Sequence, residues 1–531
     1  MRPLSKRMRC HRAALFCALT LSLGLASLRD AHAEPEGERG LMDAGLISAH
    51  GVAGRVVLKA VPLIADDSLD LDGEISDELR AAIFRQSQYL VGNIHGIEGG
   101  LSLHSATLSR VSRGERLADG LARYHYDLEA DAVITQSAAP PAGERASFPV
   151  VLPERVDEES LRAFFDKYSA DCVPNPYKSY RREGYWYYFR PEAYDCPLRE
   201  AASMVESGAV YTTLSFEAAP AREDEPKPEY ARFWEDGRLV VTAVYALVGG
   251  LLGEQGLESY EQVFDGLRRS YGEPVSINDE AFLGAQRFDL DRPVIEATFE
   301  TPRGPLEVHL FLINTLDAPS HEEGDALASF FEDYDALSQR SDLLIYNGHA
   351  RYGADNAKLD ALGSFSGGRH QLFYVNTCAS YTYGLPQVRE QLLALNAEAE
   401  APEHALDLIL NGMPAMGHEI ATMNLRVIDA LVVAEESYRS ILSDLYAKQQ
   451  LLVLRGADRR EVGAGEAGKV DLVTGQRPVA PSAYDGAGPV GISDDDSAGC
   501  SATGRGHHLP LTLLFCIALL AFPRRRQDQQ G

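Results

Sequence analysis

Residues Ser341–Ser380 read SDLLIYNGHARYGADNAKLDALGSFSGGRHQLFYVNTCAS, and the architecture of the chain turns on this run. Two apolar blocks inside it, Leu343-Leu344-Ile345-Tyr346 and Leu372-Phe373-Tyr374-Val375, have the length and β-rich composition of buried strands. The first block leads to His349 and the second to Cys378. In an open parallel α/β sheet, ligands bind outside the carboxyl ends of the strands. If the two blocks are parallel neighbours, an imidazole and a thiol arrive at one rim. That is the minimum equipment for a cysteine nucleophile with a histidine base.

The flanks continue the pattern. Glu258 to Tyr271 places Tyr260, Val263, Phe264 and Leu267 on one helical face. Val294 to Glu300 and Leu306 to Ile313 flank the hairpin signal Thr301-Pro302-Arg303-Gly304. Helices are expected at Glu322 to Gln339 and Pro386 to Ala397. A helix with a short strand is expected within Leu406 to Met416, then a long helix from Met423 to about Leu454. Residues 251–455 thus read as a three-layer α/β/α domain.

The two motifs resemble those of the caspase-like cysteine peptidases, the group of caspases, metacaspases, legumains and gingipains. Tyr346-Asn347-Gly348-His349-Ala350 is similar to the YSGHG run of metacaspases, with Ala350 in place of Gly. Asn376-Thr377-Cys378-Ala379-Ser380 stands where they carry D-x-C-x-S/G, with Asn376 in place of the acid. The resemblance implies Cys378 as nucleophile and His349 as the group that moves its proton. It also implies an oxyanion held by backbone N–H groups near Gly348, Ala350 and Cys378. Asn347, Asn376 and Thr377 are candidates to orient His349 or line the pocket, and Asp355 is a candidate substrate contact. Asn and Asp at strand ends are also ordinary turn residues.

A chain of 531 residues predicts two or three folded units. Its formal charge of -28 argues against nucleic acid and anionic membrane surfaces as partners. Arg2, Lys6, Arg7, Arg9 and Arg12, the apolar stretch Ala13 to Leu28, and Ala31-His32-Ala33 have the three parts of a secretory signal, with Glu34 as the mature start. Residues 456–498 are rich in Gly, Ala, Asp and Pro and read as a flexible tether. Beyond them come Gly499-Cys500, the apolar run Leu509 to Phe522, and Arg524-Arg525-Arg526. That order resembles the C-terminal sorting tails of myxobacterial surface proteins, which implies Cys500 as the anchored residue. The alternative is a short membrane helix with its arginines on the cytoplasmic side. Both readings place the body outside the inner membrane, tied to a membrane by its tail.

Of seven cysteines, Cys10 and Cys17 belong to the signal and Cys500 and Cys516 to the tail. In an oxidising compartment Cys172 and Cys196 form a disulfide, leaving Cys378 as the candidate reactive thiol. Residues 34–250 read as an α+β region. Gly54 to Ile64 and Leu101 to Thr135 alternate like strands, and helices are expected at Ser76 to Leu90 and after Arg155-Val156-Asp157. The carboxylate-rich DDSLDLDG at Asp66 to Gly73 has Leu79 where an EF-hand needs its bidentate Glu, and so reads as a turn. Tyr185-Trp186-Tyr187-Tyr188-Phe189 reads as a strand packed on both faces, and Leu239 to Leu247 as another strand of this region.

His370, His404 and His418 lack metal-ligand spacing, so no metal or cofactor is expected. Two functions follow. One is an exported, surface-anchored cysteine peptidase acting on peptide or protein substrates through a Cys378–His349 dyad. The other is an inactive caspase-like surface protein with a binding or structural role.

Overall fold

The apolar blocks that lead to His349 and Cys378 carry hydrophobic side chains on both faces, and both faces are buried. Such strands need cover on two sides, which a sheet between helical layers supplies. The computed structural model describes residues 46–69, 75–174, 184–200, 208–220, 225–246, 254–277, 294–313, 324–399, 401–433, 435–456 and 470–472. Among these the two blocks become the strands Leu343–Asn347 and Gln371–Asn376, inside a nine-stranded mixed sheet.

The order across that sheet is Leu46–Ser48, Leu451–Arg455, Leu406–Asn411, Gln371–Asn376, Leu343–Asn347, Leu239–Ala246, Gly304–Ile313, Val294–Thr301 and Ser276–Ile277. The five strands from Leu406–Asn411 to Gly304–Ile313 are parallel, and two antiparallel strands close each edge. Leu343, Ile345, Leu372 and Tyr374 face the helices Glu254–Tyr271, Ile420–Val433 and Tyr438–Ser443. Leu344, Tyr346, Phe373 and Val375 face the helices Gly324–Ser338, Ala354–Asp360 and Pro386–Leu395. The architecture is α/β, with helices on both faces of one large sheet.

A second sheet of seven antiparallel strands runs in the order Val470–Asp471, Thr107–Arg116, Leu121–Thr135, Gly51–Asp66, Ala209–Ala218, Arg145–Pro153, with Gly100–Leu101 paired to Leu121–Thr135. The helix Asp77–Gly96 packs on it through Leu79, Ile83, Leu90 and Ile94. Ser76 caps this helix by accepting from the Leu79 N–H. Asn93 exchanges two hydrogen bonds with the backbone of Val151, and Gln86 donates to the carbonyls of Pro62 and Pro153. Three of these bonds satisfy backbone groups of the edge strand Arg145–Pro153, which pairs on one side only, and the one to Pro62 ties Gly51–Asp66 to the same helix.

The Cys172–Cys196 disulfide is present, with a Cα–Cα distance of 4.6 Å. Five segments differ from the sequence reading; one is Val470–Asp471, inside the expected tether, which pairs with Thr107–Arg116. Leu239–Ala246 lies at the centre of the larger sheet rather than with the residues before 250, because its parallel partners are Leu343–Asn347 and Gly304–Ile313. Leu46–Ser48 also joins that sheet. Tyr185–Tyr188 is one helical turn, not a strand; its four rings are buried as expected. The long helix from Met423 ends at Val433, and Ser437 caps a new helix by accepting from the Ser440 N–H. Leu451–Arg455 is then a strand. Among the described residues no helix is long and apolar enough to cross a membrane. The expected signal at 1–33, the tether at 457–469 and 473–498, and the tail with Cys500 lie outside the described residues.

Candidate active site

Asn347 and Asn376 are partners in the parallel register of their strands. His349 and Cys378 each follow two residues later, so they leave the same end of adjacent strands about 4.8 Å apart. The connection from Leu239–Ala246 to Gly304–Ile313 uses the helix Glu254–Tyr271 on one face of the sheet. The connection from Leu343–Asn347 to Gln371–Asn376 uses Ala354–Asp360 on the other. The chain therefore reverses its direction of travel between Leu239–Ala246 and Leu343–Asn347. A reversal of this kind opens the crevice in which open α/β sheets bind ligands. His349 follows the strand beside it.

Three adjacent strands of this rim end in asparagine, and the three are bonded together. Asn376 Nδ2 donates to Asn347 Oδ1 at 3.1 Å, and Asn411 Nδ2 donates to Asn376 Oδ1 at 2.9 Å. Gln449 Nε2 donates to the same Asn376 oxygen at 3.2 Å. Asn411 Nδ2 also reaches the Thr377 carbonyl at 3.0 Å. Ser380 braces the turn from its other side, donating to the Val375 carbonyl and accepting from the Asn411 N–H. Every member is buried. The Asn376 side chain is thus a tie between strands, and Thr377 Oγ1 is bonded to Asn356 Oδ1 at 2.9 Å. Sequence reading singled out Asn347 and Asn376 but not Asn411 or Gln449. The available signal was the recurrence of Asn at the end of three apolar runs.

Backbone strain lies beside both reactive residues. Ala379, next after Cys378, has φ 46°, and Arg351 and Tyr352, just after His349, have φ 43° and 54°. Such left-handed conformations cost non-glycine residues about 1–2 kcal/mol each. The Ala379 N–H donates to the Met413 carbonyl at 3.1 Å, which removes it as an oxyanion donor. The Ala350 carbonyl accepts from Gly353 N–H, folding the loop back on itself. Gly348 is half-buried, and a Cβ there would meet the Tyr346 hydroxyl at 2.8 Å. Burial, with Asp355 nearby, drives that hydroxyl well above the usual tyrosine range. Asp355 is 2% exposed and lies 3.4 Å from Arg351 Nε; burial raises its carboxyl above the usual range against the pull of Arg351 and Lys358.

His349 is half-buried, whereas Cys378 is only 2% exposed. Cys378, Ala379 and Ala350 pack into the hydrophobic cluster of the smaller sheet, not into either cluster of their own sheet. Cys378 is disulfide-bonded. It is therefore not the free odd cysteine that the sequence suggested.

The other histidines lie elsewhere. His370 and His404 precede their strands and sit at the opposite edge, where His370 is buried near Asp407 and His404 faces Glu229. His418 is largely exposed, against Tyr446. At that opposite edge Asp342 accepts from the Val240 N–H and from Arg369.

Asp360 accepts the Gln387 and Val388 N–H groups at the start of Pro386–Leu395. Burial pushes its carboxyl up to about 6 despite those donors. A carboxyl whose folded pKa exceeds its unfolded value favours the folded state more as pH falls through that interval. Wild type should therefore gain on the order of 2 kcal/mol relative to Asp360→Asn between pH 7.5 and 4.5. Urea unfolding of both proteins across that range checks this; parallel profiles would contradict it.

No protein-family model matches the chain, and no curated protein matches it significantly.

Proposed function

We propose that this protein is an exported cysteine peptidase, held at the cell surface by its C-terminal tail, with Cys378 as nucleophile and His349 as proton carrier. The observation that carries this reading is the Asn347–Asn376 register, which brings the two residues to one rim beside the sheet's reversal. Strained backbone at Ala379 and at Arg351–Tyr352 adds to it, because such strain clusters at functional sites. An external thiol opens the disulfide by exchange, freeing the Cys378 thiol; that thiol passes its proton to His349 and the thiolate adds to the scissile carbonyl. Collapse breaks the C–N bond as His349 gives a proton to the leaving amine. Water then hydrolyses the thioester and restores the thiol. A second reading, a catalytically silent caspase-like surface protein, draws on the burial of Cys378 and its disulfide.

The test treats the full chain with a reductant and assays cleavage of a peptide library by wild type, Cys378→Ala and His349→Ala. Cleavage that falls about a thousandfold or more in both variants is expected. No cleavage by reduced wild type, or equal cleavage by all three, would hand the protein to the second reading.

A further inference from the structure

We infer that the helical turn at 184–189 is a built-in occupant of the Cys378 site, and that the surface beneath it takes peptides carrying a large aromatic side chain. The inference rests on the peptidase reading for its substrate class, but its test does not need turnover.

The contacts are specific. Trp186 and Tyr187 lie edge-on to Tyr352, three residues after His349, with ring centroids 6.2 and 6.4 Å away. Gly184 sits so close to the same ring that an added Cβ would fall 2.0 Å from the Tyr352 hydroxyl. A Cβ on Gly100 would fall 2.6 Å from the Gly412 Cα, so the backbone of the smaller sheet rests directly on the loop after Asn411. His95 packs edge-on to Tyr187 at 4.9 Å, with the backbone of Gly412 also beside it. These contacts cover the rim at which Cys378 emerges.

The turn is anchored from behind. The Cys172–Cys196 disulfide closes the loop that contains it. The Arg190 N–H donates to the Cys172 carbonyl at 2.7 Å, and its guanidinium donates to the carbonyls of Gly92, Tyr187 and Phe189. Cys378, 2% exposed, shares a buried cluster with this turn, and movement of the turn would open a path to it.

What the turn covers indicates what replaces it. Ala350 and Ala379 are small and apolar, and Tyr352 and Tyr383 pack against the same cluster. The nearby charges Arg351 and Asp355 are paired with each other. Such a surface gains from an aromatic ring set edge-to-face, the arrangement that Trp186 and Tyr187 already make. It offers little to a Lys, Arg or Asp side chain.

The experiment follows iodoacetamide labelling of Cys378 in the full chain, at a reductant concentration that frees its thiol. Wild type, Cys172→Ser/Cys196→Ser and Tyr352→Ala are compared. Labelling about tenfold or more faster in the variants is expected, because each weakens the cover. Blocked peptides bearing Trp, Lys or Asp are then added to the double cysteine variant, which keeps Tyr352; only the Trp peptide should slow labelling. Wild type labelling as fast as the variants would overturn the occupant, and equal protection by Lys or Asp peptides would overturn the aromatic preference. If the double cysteine variant loses its near-UV circular dichroism, Tyr352→Ala decides alone: a folded Tyr352→Ala protein that labels no faster than wild type refutes the inference. Labelling that behaves as expected without any peptide cleavage would refute the peptidase reading and leave the occupant standing.

Discussion

Asn376→Leu is expected to lower the free energy of unfolding by about 3–5 kcal/mol. The side chain is 1% exposed and bonds three partners: Asn347 Oδ1, Asn411 Nδ2 and Gln449 Nε2. Leucine fills a similar volume but leaves all three without that partner inside the sheet. Each buried group so abandoned costs about 1–3 kcal/mol, reduced where a neighbour compensates, as Thr377 O does for Asn411. Asn376→Asp is the sharper companion. Its carboxylate keeps the acceptor role towards Asn411 and Gln449, but sets a buried charge against the Asn347 oxygen. Burial raises the pKa of such a group, so its deficit against wild type should be largest near pH 8 and shrink as pH falls towards 5. Urea unfolding at the two pH values measures both variants. A leucine variant within 0.5 kcal/mol of wild type would mean that the ladder does not hold the rim, using about 0.5 kcal/mol as the scale of a neutral surface change.

Cys172→Ala/Cys196→Ala is expected to cost about 3 kcal/mol of stability. The closed loop spans a sequence separation of 24, and releasing it restores conformational freedom to the unfolded chain. Both cysteines are buried, at 0% and 3% exposure, so the substitutions also remove packing beside Phe164, Tyr185 and Phe189. Thermal unfolding of the oxidised wild type and the double variant checks the value. Coincident transitions would show that the bridge is dispensable to the fold.

The parts of this fold legible in the sequence are those with strong local patterns. Leu343–Asn347 and Gln371–Asn376 are short, apolar and punctuated, and their register as parallel neighbours aligns the two motifs. The Cys172–Cys196 pairing followed from counting cysteines. Long-range pairing was not legible. Leu239–Ala246 looks like any buried strand, and nothing local says that Leu343–Asn347, a hundred residues on, lies beside it. Leu451–Arg455 is five residues long, and an apolar run of that length fits a helix end as well as a strand. Tyr185–Tyr188 has aromatic β propensity, but its buried packing sets a helical turn. The packing of Trp186 and Tyr187 on Tyr352 was illegible for the same reason, since it joins segments far apart in the sequence.

The strand Leu46–Ser48 has a temporal consequence. Its partners are Leu452, Val453 and Leu454, and Ser48 Oγ donates to the Leu451 carbonyl across a separation of 403 residues. Gly51–Asp66, which follows it, belongs to the other sheet, as does Val470–Asp471 near the far end of the described chain. Neither sheet is one continuous stretch of sequence. A chain synthesised from its N-terminus cannot complete the larger sheet until Leu451–Arg455 has been made. Leu46–Ser48 emerges first and stays unpaired until then, a long contact order that makes folding slow and leaves a template for association with other chains. A newly made molecule would therefore depend on something to shield that first strand until Leu451–Arg455 arrives.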